Sequence, residues 1–185
     1  QSSQLRTTEN FTAQATTTVN TSTFTTPIAA SVQRVDARAT VNVGGSSTLT
    51  VAGDAQLGAT TSVSTNATPT SALANKAGDA AVAVSDVTSV AQVRVTGTTT
   101  ATVTGKFGLA AANTVSTTSI ADAAAAGGNA AGAAVAVSVI DSTTSAVVDG
   151  QAVITAGALD LAAASRNTAI VKAKAASQGA EKDDS

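Results

Sequence analysis

The sequence predicts an all-β protein, a parallel β-helix (β-solenoid) with a repeat unit of about 52 residues. Three observations lead there. The hexapeptide AAVAVS occurs at Ala80–Ser85 and again at Ala133–Ser138, 53 residues later. Leu5, Leu57, Leu109 and Leu161 are spaced by 52, and Phe11, Val63 and Val115 keep the same step, so we read these residues as a structural ladder in the core. Apolar positions recur at i, i+2 almost throughout, the period of a pleated strand rather than of a helix.

The phase of the repeat divides the chain into a partial unit at 1–29 and units at about 30–79, 80–132 and 133–185, together one repetitive domain. Along it, Val82 and Val84, Val93 and Val95, Ala101 and Val103, and Phe107, Leu109 and Ala111 all keep strand spacing. In the last unit Leu159, Leu161, Ala163, Val171 and Ala173 share one face, and Lys172 and Lys174 take the other. Gly45, Gly97 and Gly150 precede a short Thr, Ala and Val segment in each unit, and Gly53, Gly105 and Gly157 follow it. Turns at VGGSS (Val43–Ser47) and VDGQ (Val148–Gln151) are expected to separate strands of four to eight residues. Loops are expected at Ala74–Asp79, at Ser177–Ser185 and at Ala121–Ala134, where Gly127, Gly128 and Gly132 argue against a helix. On this reading a unit winds into two coils of about 26 residues each.

Small side chains suit stacking, because coils about 4.8 Å apart place equivalent residues directly over one another. Asn113 and Asn167 are expected to turn inward near strand corners, or else to be ordinary loop asparagines. A sandwich of immunoglobulin-like modules would need a unit of about 100 residues and a Trp or Tyr core marker. The chain contains neither Trp nor Tyr.

Composition excludes whole classes of function. The ten Lys and Arg are scattered and the net charge is −2, which gives no footprint for nucleic acid. Without Cys there are no disulfides or thiolate metal sites. No apolar run approaches the roughly 20 residues of a membrane helix, so no membrane insertion is expected. The chain opens on Gln1 with no signal-peptide pattern, consistent with a processed protein or a segment.

The absence of His, Cys and Tyr removes the usual neutral-pH base, thiolate and phenol, so no catalytic residues and no cofactor are expected. Asp86, Asp141, Asp149 and Asp160 could pair for glycoside chemistry, but no aromatic platform for a sugar accompanies them and they read as solvated turn acids. EKDDS at Glu181–Ser185 offers oxygen ligands of the kind calcium takes, yet GGNAAG at Gly127–Gly132 lacks the Asp of a calcium-binding nonapeptide, and no metal site is assigned. The N-x-S/T triplets at Asn10, Asn20 and Asn66 are not assigned a modification.

The stretch GAAVAVSVIDSTTSAVVDGQAVITAGALDLAAASRNTAIV, Gly132–Val171, resembles the repeats of giant secreted bacterial adhesins, the filamentous haemagglutinin-like and leukotoxin-like large exoproteins. Shared features are an Ala/Val strand, an Asp/Asn-Thr-Thr turn, a V-x-A-G segment and a Gly-led strand rich in Ala, Thr and Ser. The resemblance extends from about Leu5 to Ala176 and is weakest before Thr40. It implies a right-handed parallel β-helix at a bacterial cell surface or outside the cell, with no catalytic residues to transfer.

Two functions follow as expectations. The first is structural: a stalk or filament subunit, partnered head to tail with other copies of itself through coil stacking. The second is an adhesin module that binds an unknown surface ligand directly, which exposure of Phe11 and Phe24 on one face would favour.

Overall fold

The computed structural model describes residues 3–22, 30–71, 78–126 and 131–178. Recurring β-branched Thr and Val favour extended backbone, and the described residues form ten strands: β1 (Gln4–Thr7), β2 (Phe11–Ser22), β3 (Ala30–Val43), β4 (Thr48–Val51), β5 (Ala55–Ala67), β6 (Thr70–Ser71), β7 (Gly78–Val95), β8 (Thr100–Ala126), β9 (Ala131–Val148) and β10 (Val153–Gln178). The protein is all-β, and its ladders are parallel. In one sheet β1 and β2 lie beside β4 and β5, which with β6 lie beside β8, which lies beside β10. The other sheet is β3-β7-β9.

The chain visits the two sheets alternately. Leu57 lies opposite Leu109 and Leu109 opposite Leu161, each a step of 52, while Val82 lies opposite Val135, a step of 53. A strand and its ladder neighbour are therefore one whole repeat apart, with one segment of the other sheet between them. This corrects the expectation of two coils of about 26 residues and of strands of four to eight: β7 has 18 residues, β8 has 27 and β10 has 26. The chain's two prolines are Pro27 and Pro69, so from Gly78 onward no residue lacks the N–H donor that a ladder needs.

All three of the expected loops are strand in part. Ala121–Ala126 ends β8 and Ala131–Ala134 begins β9, while 127–130 lie outside the described residues. Gly78 and Asp79 begin β7, and Ser177 and Gln178 end β10, with 74–77 and 179–185 outside the described residues. Alanine's helix propensity yields here to burial between two sheets.

The first repeat breaks the step. Leu5 lies opposite Leu49, Phe11 opposite Ala55 and Ala13 opposite Leu57, a step of 44. Leu5 and Phe11 are therefore not the ladder mates of Leu57 and Val63; Val63 has Val19 and Val115 beside it. The cause is a shortened connection: the chain takes eight residues from Ser22 to Ala30 but 16 between their partners, Asn66 and Val82.

Between the sheets the core changes character along the strands. One end packs Leu49, Leu57, Phe107 and Leu109 against Val93 and Val95. The middle is Val35, Val63, Val87 and Val115. At the far end the apolar cluster is all alanine, Ala67, Ala81, Ala83, Ala121 and Ala123, with the buried Ser85 and Ser119 hydroxyls hydrogen-bonded beside it. Fully buried alanines leave no void only if the sheets approach more closely there, so the cross-section tapers.

Stacked turns close the thick end. Gly45, Gly97 and Gly150 all have φ near +75°, at 76°, 74° and 77°. The Thr98 amide donates to the Gly45 carbonyl and the Gln151 amide to the Gly97 carbonyl, both at 2.9 Å. A Cβ on Gly97 would stand 2.7 Å from the Gly45 carbonyl oxygen. Gly97→Val should cost at least about 2 kcal/mol, from the left-handed conformation and the displaced turn below it. Gly108→Ala, whose Cβ meets nothing closer than Gln56 Cγ at 3.9 Å, should cost nothing measurable. Urea denaturation of the two variants checks the contrast.

Candidate functional site

The acids considered for catalysis are dispersed. Asp86 and Asp141 are diagonal neighbours on the outer face of the β3-β7-β9 sheet, Asp149 lies in the turn before β10, and Asp160 sits on the other sheet. Asp86 pairs with Arg34 at 3.7 Å and Asp160 with Lys106 at 2.6 Å, both across neighbouring strands, and the Asp149 carboxylate accepts the Gly150 amide at 2.6 Å. The hydrogen bond from Lys106 to Asp160, reinforced by its charge, raises the lysine above its ordinary value. Asp36 does the same to Arg38. These exposed pairs add little stability, but the two that cross between strands, Arg34–Asp86 and Lys106–Asp160, favour the correct register.

A depression of about 120 Å³ lies around Asp54, Lys106, Gly108 and Asp160. Its polar atoms serve the backbone. The Asp54 amide donates to Asn10 Oδ1 and the Lys106 amide donates to Asp54 Oδ1, each at 2.8 Å, so one strand's side chain satisfies the next strand's bulge. Gly53 and Gly105 leave room for those side chains, because a Cβ would collide with Asn10 Oδ1 and Asp54 Oδ1 respectively. Among the described residues no three His, Cys, Asp or Glu side chains form a group able to hold a metal ion. Glu181–Ser185 lie outside the described residues.

The interior holds a polar chain that links four strands. Ser89 Oγ of β7 donates to Asn113 Oδ1 of β8 at 2.9 Å, and Asn113 Nδ2 donates to the Ser89 carbonyl at 3.1 Å and to Ser142 Oγ of β9 at 3.0 Å. Ser142 Oγ in turn meets Ser165 Oγ of β10 at 3.1 Å. Thr17, Thr61, Asn113 and Ser165 form one ladder row. Its first two members donate to equivalent carbonyls of the facing sheet, Thr17 to Arg38 at 2.6 Å and Thr61 to Val90 at 3.0 Å.

Asn113, 2% exposed, thus faces inward in the middle of β8 rather than near a corner. Asn167 shares an inward row with Val115 but is exposed. Asn113→Ala should cost about 1–3 kcal/mol by stranding Ser89 and Ser142. Asn113→Thr, which copies Thr61, should recover part of that in the same thermal melts.

The polar chain ends on the surface best suited to a function. The inward row of β10, Leu159, Leu161, Ala163, Ser165, Asn167 and Val171, is exposed throughout. Among the described residues the facing sheet ends at β9, one strand short of covering it. No family model, curated protein or solved structure matches the chain. The geometry of this row therefore has to speak for itself.

Of the expected ladder, Leu57, Leu109, Val63 and Val115 are buried, Leu161 lies on the open row, Leu5 is exposed at the opposite edge, and Phe11 is half-buried against the thick end of the core. Ser89, Ser142 and Ser165 were not singled out from sequence. Their signal was legible all the same: Ser89 interrupts an inward alternation between Val87 and Ala91.

Proposed function

We propose that the chain is a structural extracellular protein, a stalk or filament subunit of a bacterial surface fibre. It would be a right-handed parallel β-helix that lengthens by stacking coils head to tail. The observation that carries this reading is the open inward row of β10, with Leu159 51% and Leu161 45% exposed on a face whose ladder equivalents, Phe107 and Leu109, are buried. Another coil of the same kind would cover that row and continue both ladders. A heterologous contact of this type does not close, so it produces a filament.

The aromatic residues favour this over direct ligand recognition. Phe107 is buried and Phe11 packs against the core, while Phe24 lies outside the described residues. Among the described residues Arg34 pairs with Asp86 and Lys106 with Asp160 across neighbouring strands, so these outer-face charges are not gathered into a binding anchor. The sequence also contains no His, Cys or Tyr, so the side chains that most often act as base, thiolate or phenol near neutral pH are missing.

Light scattering and electron microscopy of the purified chain at rising concentration test the proposal. Fibres are expected, and Leu159→Lys with Leu161→Lys should stop growth without unfolding the protein, because both side chains are already exposed. A chain that stays monomeric at high concentration would refute self-assembly.

A further inference from the structure

The repeated hexapeptide remains unexplained by end-to-end stacking. In the first copy Ala81, Ala83 and Ser85 point inward and are buried, so Val82 and Val84 point outward; in the second Val135 and Val137 do the same. Larger apolar side chains sit outside and smaller ones inside. The outward residues align across three strands: Ala30, Val82 and Val135 in one row, Val32, Val84 and Val137 in the next, and Val139 beside Asp86 in the third. Val32 is 71% exposed, Val135 51% and Val137 40%. This is a flat valine face on the tapered end of the β3-β7-β9 sheet.

From this face we infer that a second copy of the chain packs laterally on it, valine rows against valine rows, so that neighbouring fibres pair. The inference rests on the filament reading above. Three features select a second copy as the occupant. Two adjoining rows of small apolar residues, Ala30 with Val82 and Val135 and Val32 with Val84 and Val137, let the same patch of a second copy pack against them in an isologous contact. The flanking charges Arg34 with Asp86 and Arg38 with Asp36 are already paired within one copy, so two such faces meet without strong repulsion. The size of the face fits an assembly rather than a lone dimer. A strand adds about 4.8 Å of width by roughly 20 Å of length, on the order of 100 Å². A stable interface needs about 800 Å² from each partner, or about eight strands side by side. One copy supplies three. Lateral pairing is therefore too weak between single chains and takes hold once about three copies have stacked, each added strand contributing through effective concentration.

The test compares the full chain with two double variants, Val84→Lys with Val137→Lys, and the gentler Val84→Thr with Val137→Thr, which keeps β-branching. Circular dichroism first establishes that each variant retains its strands. Electron microscopy then reads fibre width and fibre length separately. Paired or bundled fibres are expected for the parent chain, with single fibres of unchanged length for the lysine variant and at least a several-fold loss of pairing for the threonine variant. Single fibres from the parent chain overturn the lateral contact but leave end-to-end assembly intact. Bundles that persist in the lysine variant show that another face makes the contact and also overturn it. Absence of fibres from the parent chain, with monomers only, defeats both readings at once. Parent chains that bind phosphatidylcholine vesicles instead, with binding lost in the lysine variant, would assign the valine face to a lipid surface and overturn the second-copy assignment.

Discussion

Leu109→Asp should lower stability by more than about 4 kcal/mol, enough to unfold a chain whose total stability is about 5–15 kcal/mol. Leu109 is fully enclosed, with Leu57 and Leu161 beside it along the ladder and Phe107 and Ala111 next to it on the same face. An aspartate there loses the apolar burial of the leucine and places a charge where no cation can reach it. Lys172→Asp reverses a charge on the outer face of β10 and should change stability by less than about 1 kcal/mol. Chemical denaturation followed by circular dichroism separates the two. Equal tolerance would mean that the inward and outward faces are exchanged.

Phe107→Ala should be nearly as damaging, at about 3–5 kcal/mol. Phe107 is the largest fully buried side chain among the described residues and lies in the part of the core built from Leu and Val. The neighbouring residues cannot collapse into its space, because each is held by a ladder pairing: Ala55 on one side, Leu159 on the other. Phe11→Ala removes the same ring from the half-buried edge strand β2 and should cost less than half as much. A comparison of the two melting curves reads the difference. A similar loss at both positions would show that β2 is covered in solution, as stacking of a further coil would require.

The sequence by itself determined the strands, the repeat and the turns. Thr and Val at alternate positions favour a pleat, and a step of 52 or 53 is the spacing that parallel stacking of equivalent residues would give. Gly97 and Gly150 mark the turns because a side chain there would be strained in the left-handed region. The polar chain through Asn113 was half legible: an amide between Ala111 and Val115 must face inward, but its serine partners on β7 and β9 are separated from it by 24 and 29 residues.

Tertiary structure decided which face is buried and how the repeats align. In AAVAVS both alternating sets are apolar, so the pattern carries no contrast between inside and outside; the narrow gap between the sheets admits alanine and turns valine out. Leu5 and Phe11 fall out of the ladder for a comparable reason. A shortened connection shifts β1 and β2 by eight residues, and an even shift keeps every side chain on its face while changing its partner, so alternation alone cannot register it. The length of the strands was likewise settled only by pairing, since it depends on where ladder hydrogen bonds continue and not on local propensity.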